Sequence, residues 1–207
     1  SIPDIYHTGR ERYTYWFVRN FQEPAPSDKG QVWLRLRGVN YGCDLYLNGR
    51  KLNPRTQYGM FLRQSYNITS FLAGSGKNRL AVIVYPPDPV GNPNGGQGGD
   101  GTIGRNVSNQ YVAGWDWIQP IPDRNTGIWD QVTIERTNTI ALRDPYVVTI
   151  VPGVRFPDRP QAPAILRVTA DVENPTDTPV RGTVEYEIDG TIVRQDALVS
   201  PHSTAHI

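Results

Sequence analysis

The sequence has few of the residues that build disulfides, metal sites and redox sites. Its 207 residues include one cysteine and three histidines. Cys43 has no partner for an internal disulfide, so a disulfide-stabilised scaffold is excluded and the redox compartment stays open. Cys43 lies in a strand-like segment, which favours a small buried apolar residue over a nucleophile. Because histidine and cysteine do not occur at metal-binding spacing, we expect no metal ion and no other cofactor.

Charge of one sign and long apolar segments are also lacking. Lysine and arginine number 21, aspartate and glutamate number 20, and the formal net charge is +1. Such a balance gives no positive field for nucleic acid and no polybasic tract for a membrane surface. No apolar segment approaches the roughly 20 residues that span a bilayer. We therefore expect neither nucleic acid nor a membrane as a partner. The compartment stays open, with the periplasm and secretion as candidates.

Short apolar segments separated by turn residues are what the sequence does contain. Its 20 glycines and 18 prolines punctuate these segments, which predicts an all-β sandwich. Asn48-Gly49 and Asp189-Gly190 predict two-residue hairpin turns, because a type I′ turn needs positive φ at both central residues. The predicted strands are residues 13–21, 31–39, 44–47, 59–64, 67–72, 79–85, 128–136, 146–151, 164–172, 180–188 and 191–199.

The strand pattern predicts two domains. A second series of strands begins near Asp144-Pro145. We therefore place a first β-sandwich at residues 1–142 and an immunoglobulin-like sandwich at residues 143–207. The second has about sixty residues where roughly a hundred are usual. We expect it to be truncated at its C-terminus and the chain to be a fragment of a longer protein.

The segment between Tyr85 and Ile128 shows no hydrophobic period over about forty residues. A loop of this length inside a compact domain indicates function or disorder. Its glycine-rich stretch, residues 95–99, is not followed by a helix and a Lys-Ser/Thr pair, so we expect no nucleotide site. The aromatic side chains of its second half favour function, since a flexible linker does not need them.

Three of the five tryptophans lie in residues 114–129, and Asp116 stands between Trp115 and Trp117. Aromatic rings stack on the apolar faces of sugars, and a carboxylate hydrogen-bonds neighbouring hydroxyls, so this pattern predicts a sugar-binding loop. The alternative is that Trp115, Trp117 and Trp129 anchor the loop by packing while Asp116 caps backbone N–H groups. The spacing of the residues leaves both interpretations open.

Asp123-Arg124-Asn125 allows two interpretations as well. The three side chains could shape an anion or sugar site, or they could form a turn with a surface or partly buried ion pair. Hydrolysis of a glycoside with retention needs two carboxylates about 5–5.5 Å apart. No pair of acids in this sequence stands in a context that indicates such a site.

Four segments together resemble glycoside hydrolase family 2 in order and spacing. The similarity is greatest to the branch of endo-β-mannosidases, β-mannosidases and exo-β-glucosaminidases. It covers most of residues 1–142, which correspond to the family's N-terminal sugar-binding jelly roll, and the start of the immunoglobulin-like domain. The four segments are residues 2–5 (Ile-Pro-Asp-Ile), 13–17 (Tyr-Thr-Tyr-Trp-Phe), 39–49 (Val-Asn-Tyr to Leu-Tyr-Leu-Asn-Gly) and 114–129 (Gly-Trp-Asp-Trp to Asp-Arg-Asn-Thr-Gly-Ile-Trp).

The resemblance implies a parent enzyme that hydrolyses β-mannosidic or related bonds with retention. Its two catalytic glutamates would lie on a (β/α)₈ barrel absent from this chain, so the chain alone is expected to be inactive. In the family, the jelly roll lends a loop to the barrel's active site, and the Trp-Asp of its motif touches the sugar just before the cleaved bond. The implied partners are a β-mannoside or β-glucosaminide oligosaccharide and the barrel of the same parent chain.

Carried over residue by residue, this assigns substrate binding to Trp115 and Asp116, with packing favoured for Trp117. The candidate substrate-binding residues are Trp115, Asp116, Trp117, Asp123, Arg124 and Asn125. In the family, further residues precede the Ile-Pro-Asp stretch and supply the first strand or strands of the sandwich. Because this chain starts at Ser1, we expect an open sheet edge.

Two other classes of function fit the same residues. A stand-alone carbohydrate-binding module would share the fold and never have had a barrel, and fold alone cannot decide between them. A purely structural loop between domains is the other alternative. It predicts that Asp116→Ala destabilises the fold rather than weakening substrate binding.

Overall fold

The computed structural model describes residues 2–26, 28–93, 99–114, 118–160 and 163–207. Strands make up 47% of the structure and helices 7%, so the predicted all-β class is confirmed. The chain divides into two compact units, residues 1–28 with 32–136 and residues 29–31 with 137–207. The domain limit expected after residue 142 stays a prediction.

The first unit consists of antiparallel strands in two main sheets. One sheet has the order β1-β8-β4-β5, with β6 also paired to β4, and the other has the order β10-β2-β7. A further pair joins β3 to β9. The strands are β1 (Tyr15–Gln22), β2 (Gln31–Leu36), β3 (Val39–Asn40), β4 (Gly42–Leu47), β5 (Arg50–Lys51), β6 (Gln57–Tyr58), β7 (Gln64–Asn67), β8 (Lys77–Tyr85), β9 (Gly127–Ile128) and β10 (Val132–Thr137). The helical elements are one α-helical turn, α1 (Ile5–Thr8), and 3₁₀ turns at Glu11–Tyr13, Thr69–Phe71 and Gln110–Ala113.

Alternate residues of β2, β4 and β8 form the core of this unit. Successive side chains of a strand point to opposite faces, so every second residue meets the facing sheet. The inward orientation predicted for Leu45 and Leu47 is confirmed, since both are fully buried. The central position predicted for β8 is confirmed by its place between β1 and β4. The buried cluster comprises Val32, Leu34, Leu36, Val39, Cys43, Leu45, Leu47, Ile68, Leu80, Val82 and Val84.

Turn chemistry explains where the strand predictions held and where they failed. Asn48 and Gly49 have φ of 53° and 81° and close the β4–β5 hairpin as predicted. The strands predicted at 59–64 and 67–72 are wrong. Gly59 has φ of 144° and opens a turn, and the Asn67 side chain accepts a hydrogen bond from the Thr69 N–H at 3.0 Å. Such local side-chain bonds compete with strand pairing, and only β7 lies between the two turns.

The strand predicted at 128–136 is interrupted. Ile128 ends β9, and β10 begins at Val132. Between the two strands the Trp129 N–H donates to the Gly38 carbonyl at 3.2 Å. One sequence segment therefore contributes to two sheets.

Strand β1 lies at the edge of its sheet. Among the described strands its one partner is β8, and residues Trp16 and Val18 are 64% and 47% exposed. Its Phe17 and Phe21 line an apolar groove of about 380 Å³ together with residues of β10, the edge strand of the other sheet. An edge of this kind presents backbone groups that can pair with another strand.

The second unit contains two antiparallel sheets. Asp189 and Gly190, at φ of 49° and 76°, form the predicted hairpin turn between β13 and β14. Among the helices formed by described residues, none has the length and apolar character to cross a membrane. The strands are β11 (Ala141–Ile150), β12 (Ile165–Asn174), β13 (Val180–Ile188), β14 (Thr191–Val199) and β15 (Ser203–His206), in the orders β11-β12-β15 and β13-β14.

The Cys43 thiol is expected to be inert in the folded protein. Its side chain is 0% exposed, and burial raises the pKa of the thiol, so the reactive thiolate is scarce. A thiol reagent should label Cys43 at least about 100-fold more slowly in the native state than in urea. Mass spectrometry of the peptide that contains Cys43 measures this ratio. Equal labelling rates would mean that β4 is open to solvent.

Candidate functional site

The candidate residues lie in the long segment between β8 and β9. Its described parts are folded back on each other, since the Asn92 N–H donates to the Thr102 carbonyl at 2.6 Å and the Ile121 N–H to the Val112 carbonyl at 2.8 Å. Val112 is only 3% exposed. The described parts of the segment therefore form a packed structure. Residues 94–98, which include most of the glycine-rich stretch, and the candidates Trp115, Asp116 and Trp117 lie outside the described residues.

Arg124 joins this segment to the start of the chain. Its side chain is 0% exposed. Nη1 and Nη2 donate to the two carboxylate oxygens of Asp4 at 2.7 and 2.9 Å. Nε donates to the Val90 carbonyl at 3.1 Å, Nη1 to the Ile121 carbonyl at 2.7 Å, and Nη2 to the Gly91 carbonyl at 2.9 Å. All five N–H donors of the guanidinium therefore have acceptors within the protein.

This bonding offsets the cost of burying a charged group. Removing an ion from water costs several kcal/mol, and good geometry with full hydrogen bonding is needed to recover that cost. The planar guanidinium meets a carboxylate through two parallel hydrogen bonds, which suits Arg124 and Asp4. Asp4 also accepts a hydrogen bond from the Tyr6 N–H at 2.8 Å and caps α1. The ion pair thus fixes the first helical turn as well as the loop.

Of the two interpretations of residues 123–125, the described structure shows the turn with an ion pair at Arg124. In this conformation all five N–H donors of Arg124 are used within the protein, so the substrate-binding role expected for it stays a prediction that finds no free donor here. The pair was not visible in the sequence, because Asp4 lies 120 positions away. The one sequence feature that could have indicated the pair is that Asp4 and Arg124 both lie in segments that resemble the same family.

Asp123 and Asn125 flank Arg124 at the loop surface. The Asp123 Oδ1 accepts a hydrogen bond from the Asn125 N–H at 3.0 Å, which forms an Asx turn. Its Oδ2 accepts one from the Tyr15 hydroxyl at 3.2 Å. Burial, and then the charge of Asp123, raise the pKa of Tyr15, so this hydroxyl stays a neutral donor. The Asn125 side chain is exposed and is available to a ligand.

Asn40 is a buried residue that sequence reasoning missed. Arg124 and Asn125 both have φ of 54°, an uncommon conformation for residues other than glycine. The Asn40 Nδ2 donates to the carbonyl oxygens of both residues at 2.8 Å. Asn40 is 0% exposed and holds this left-handed pair in place. The sequence feature that could have indicated this role is the position of a polar residue, Asn40, next to Val39 at the end of a predicted strand.

Trp129 ends the motif as a partly exposed packing residue. Its indole N–H donates to the Met60 carbonyl at 2.9 Å, and its ring meets Phe61 edge to face at 6.0 Å between centroids. The ring lies so close to Gly38 that a Cβ there would be 2.3 Å from it. Trp129 is still 47% exposed, so it supports the loop and leaves an aromatic surface beside it.

The start of the segment is held by a second arginine, Arg10. It donates to the carbonyls of Pro86 at 2.8 Å and Pro87 at 3.1 Å and pairs with Asp88 at 3.1 Å. The Arg10 and Asp88 side chains are 38% and 68% exposed. Water screens this pair, so it contributes much less than the buried pair of Arg124.

Asp44 is another largely buried carboxylate of the first unit, and its two oxygens accept several hydrogen bonds. It accepts hydrogen bonds from Thr56 at 2.9 Å and Tyr85 at 3.0 Å and pairs with Lys51 at 3.1 Å. Burial alone would raise the pKa of Asp44, but these bonds outweigh it and the pKa lies below its ordinary value. Burial and the Asp44 carboxylate raise the pKa of Tyr85 to about 12. Asp44 therefore cross-links the sheet.

No cluster of three or more histidine, cysteine, aspartate or glutamate side chains that could hold a metal ion occurs among the described residues. The polar groups next to Arg124 include the Asp123 carboxylate, the Asn125 side chain and the Tyr15 hydroxyl of β1. They are suited to hydrogen bonding with hydroxyl groups rather than to metal chemistry.

Comparisons with known proteins give the family. The model of the glycosyl hydrolase 2 galactose-binding domain-like family matches residues 6–130. A mannosylglycoprotein endo-beta-mannosidase of Lilium longiflorum is 49% identical over 152 residues, which are 72% of this chain and 16% of the lily protein. An exo-beta-D-glucosaminidase of Streptomyces avermitilis is 29% identical over 192 residues, which are 92% of this chain and 18% of that protein. The chain therefore spans less than a fifth of these relatives.

Solved structures share the fold. The exo-chitosanase CsxA of Amycolatopsis orientalis superposes with a TM-score of 0.70 at 26% identity, over 94% of this chain and 20% of that one. A beta-D-mannosidase from Dictyoglomus thermophilum, at 21% identity, has a TM-score of 0.64 over 100% of this chain and 25% of its own. The predicted class, a jelly-roll sandwich followed by an immunoglobulin-like one, is thus confirmed. Because the family model covers more than half of the sequence, the resemblance is confirmed as well, and the chain belongs to the glycosyl hydrolase 2 galactose-binding domain-like family.

Proposed function

We propose that this chain is the non-catalytic N-terminal portion of a retaining β-glycosidase that hydrolyses β-mannosidic or related bonds. The observation that carries the proposal is the 49% identity to a mannosylglycoprotein endo-beta-mannosidase. That value exceeds the 29% identity to an exo-beta-D-glucosaminidase, and it favours a mannoside over a glucosaminide as substrate. The catalytic carboxylates would be supplied by a barrel elsewhere in the parent chain, so this chain alone would not hydrolyse substrate.

The loop at residues 114–129 would contribute to the substrate subsite of that enzyme. Trp115 would stack on the sugar ring, and the Asp116 carboxylate would accept hydrogen bonds from its hydroxyls. Trp117 would pack within the loop. Asp123 and Asn125 would add polar groups at its surface, while Arg124 would hold it from inside. The contribution to rate would come from positioning the sugar, with proton transfer left to other residues.

Asp116→Ala in the full-length enzyme tests this role. Loss of a hydrogen bond that strengthens in the transition state should lower kcat/KM by about 2–4 kcal/mol, or roughly 30- to 1000-fold. We would measure kcat/KM on a mannosyl-chitobiose glycopeptide and on an aryl β-mannoside, with Asp130→Ala as the control. Asp130 is also a loop acid, but it pairs with Arg37 at 3.8 Å and should leave kcat/KM within about threefold.

The same assay separates the alternatives. Wild-type protein that hydrolyses a β-glucosaminide but neither mannoside would move the specificity to glucosaminides. Wild-type protein that hydrolyses none of the three would favour a stand-alone carbohydrate-binding module. Full activity of Asp116→Ala would remove the sugar-contact role.

A further inference from the structure

Arg124 connects three stretches of chain that are distant in sequence. Its guanidinium binds the Asp4 carboxylate at the start of α1, the carbonyls of Val90 and Gly91 after β8, and the Ile121 carbonyl near the end of the loop. A single buried side chain therefore sets the distances between these stretches. In a close-packed interior they cannot shift independently while it stays in place.

Arg124 and the residues that it binds contact the chain on both sides of residues 115–117. On the C-terminal side, Arg124 binds the Ile121 carbonyl directly, and the neighbouring Pro122 carbonyl accepts a hydrogen bond from the Ile5 N–H at 2.9 Å. On the N-terminal side, Val112 accepts the hydrogen bond of the Ile121 N–H at 2.8 Å. Gly91, whose carbonyl Arg124 binds, lies so near Ala113 that a Cβ on it would be 3.3 Å from the alanine Cβ. Arg124 is thus connected directly to the chain that follows the tripeptide, and through Gly91 and Ile121 to the chain that precedes it.

We propose that Arg124 is a positioning residue for the sugar subsite, which acts on substrate through the placement of Trp115 and Asp116. This inference rests on the function proposed above. Arg124 is buried and its donors are all used, so its effect on catalysis is indirect. A misplacement of about 1 Å far from the reacting atoms costs on the order of 100-fold in rate, which is the effect expected when this residue is changed.

Lysine is the informative substitution at this position. It keeps the positive charge, but its ammonium offers three donors from one point where the guanidinium offers five in a planar fork. Arg124→Lys can retain the attraction to Asp4 and cannot bind the carboxylate and all three carbonyls together. We expect the unit to fold with its loop displaced.

The test is a double-mutant cycle in the full-length enzyme with kcat/KM on an aryl β-mannoside as the readout. Arg124→Lys should lower kcat/KM on the order of 100-fold, mainly through kcat. In the Asp116→Ala background, Arg124→Lys should lower it by less than about threefold, because the placement of a missing carboxylate no longer matters. A purely structural role would give the full loss in both backgrounds.

Controls distinguish a loss of folded protein from a displacement of the loop in protein that is still folded. Active-site titration counts folded enzyme in every preparation. If Arg124→Lys gives no folded protein, Asp4→Glu replaces it, since it keeps both charges and lengthens one partner by a methylene group. Arg10→Lys is the matched control: this arginine also donates to loop carbonyls, but it holds the start of the segment, and kcat/KM should stay within about threefold.

The outcomes are distinguishable. A large effect of Arg124→Lys that disappears with Asp116→Ala supports the inference. Wild-type activity of Arg124→Lys, or an equal loss in both backgrounds, overturns it and leaves the proposed function intact. No effect of Asp116→Ala alone overturns the proposed function, and the inference with it.

Discussion

Arg124→Met is expected to lower the free energy of unfolding of the first unit by about 3–5 kcal/mol. Methionine fills a similar volume but donates no hydrogen bond. The Asp4 carboxylate, only 19% exposed in its pair, would lose its cation, and the carbonyls of Val90 and Gly91 would lose their side-chain donor. The Ile121 carbonyl would keep the backbone N–H of residue 124 as a donor, at 2.9 Å in the wild type. A buried acceptor left without a donor costs about 1–3 kcal/mol, and such penalties are part of the expected loss.

Hydrogen–deuterium exchange of the full-length protein measures this loss locally. Peptides from residues 86–127 should exchange faster in Arg124→Met, whereas peptides from β4 and β8 should change less. Arg10→Met is the control: it removes a partly exposed ion pair with Asp88 worth about 1 kcal/mol or less and the donors to the Pro86 and Pro87 carbonyls, so faster exchange should be confined to the start of the segment. Equal protection of the loop in Arg124→Met and wild type would show that the buried ion pair does not hold it.

Gly91→Ala is expected to destabilise the same loop by about 2–5 kcal/mol. Gly91 has φ of 73°, where a side chain costs about 1–2 kcal/mol. A Cβ at this position would also lie 2.8 Å from the Gly104 backbone nitrogen. Because backbone atoms cannot move aside as a flexible side chain does, residues 91 and 104 would have to separate. Arg124 would then lose its bond to the Gly91 carbonyl.

Gly101→Ala provides a matched control for this substitution. Gly101 lies in the same segment with φ of 82°, and a Cβ there would meet nothing within 4 Å. Gly101→Ala should therefore cost only the conformational strain of about 1–2 kcal/mol. We would compare the two variants by thermal unfolding and by hydrogen–deuterium exchange of the 86–127 peptides. The difference between their losses of stability gives the cost of the steric clash, because the backbone strain is common to both. Equal losses would mean that the close approach of Gly91 and Gly104 contributes nothing.

Local signals predicted most of the strands. The hairpins at Asn48-Gly49 and Asp189-Gly190 were predictable because the turn type demands positive φ at both residues, and both are observed. Strand β8 was predictable from a nearly continuous apolar segment. The strands expected at 59–64 and 67–72 failed, since a glycine at positive φ and an asparagine side-chain bond form turns there. These competing bonds leave no mark on hydrophobic periodicity.

The role of Arg124 could not be predicted from sequence spacing. Asp123-Arg124-Asn125 permits both a ligand site and an ion pair, and the choice depends on which groups converge on the guanidinium. Its partners are Asp4, Val90, Gly91 and Ile121, and three of them contribute backbone carbonyls, which any residue type carries. Convergence of this kind is a property of the folded chain.

The sugar-contact role of Asp116 is the central claim, and one pair of measurements tests it most directly. The melting temperature and kcat/KM on an aryl β-mannoside would be determined for Asp116→Ala on the same preparation of full-length enzyme. We expect kcat/KM to fall roughly 30- to 1000-fold with the melting temperature little changed. A fully active variant, or one whose melting temperature falls along with its activity, would contradict the claim and make the loop a structural element.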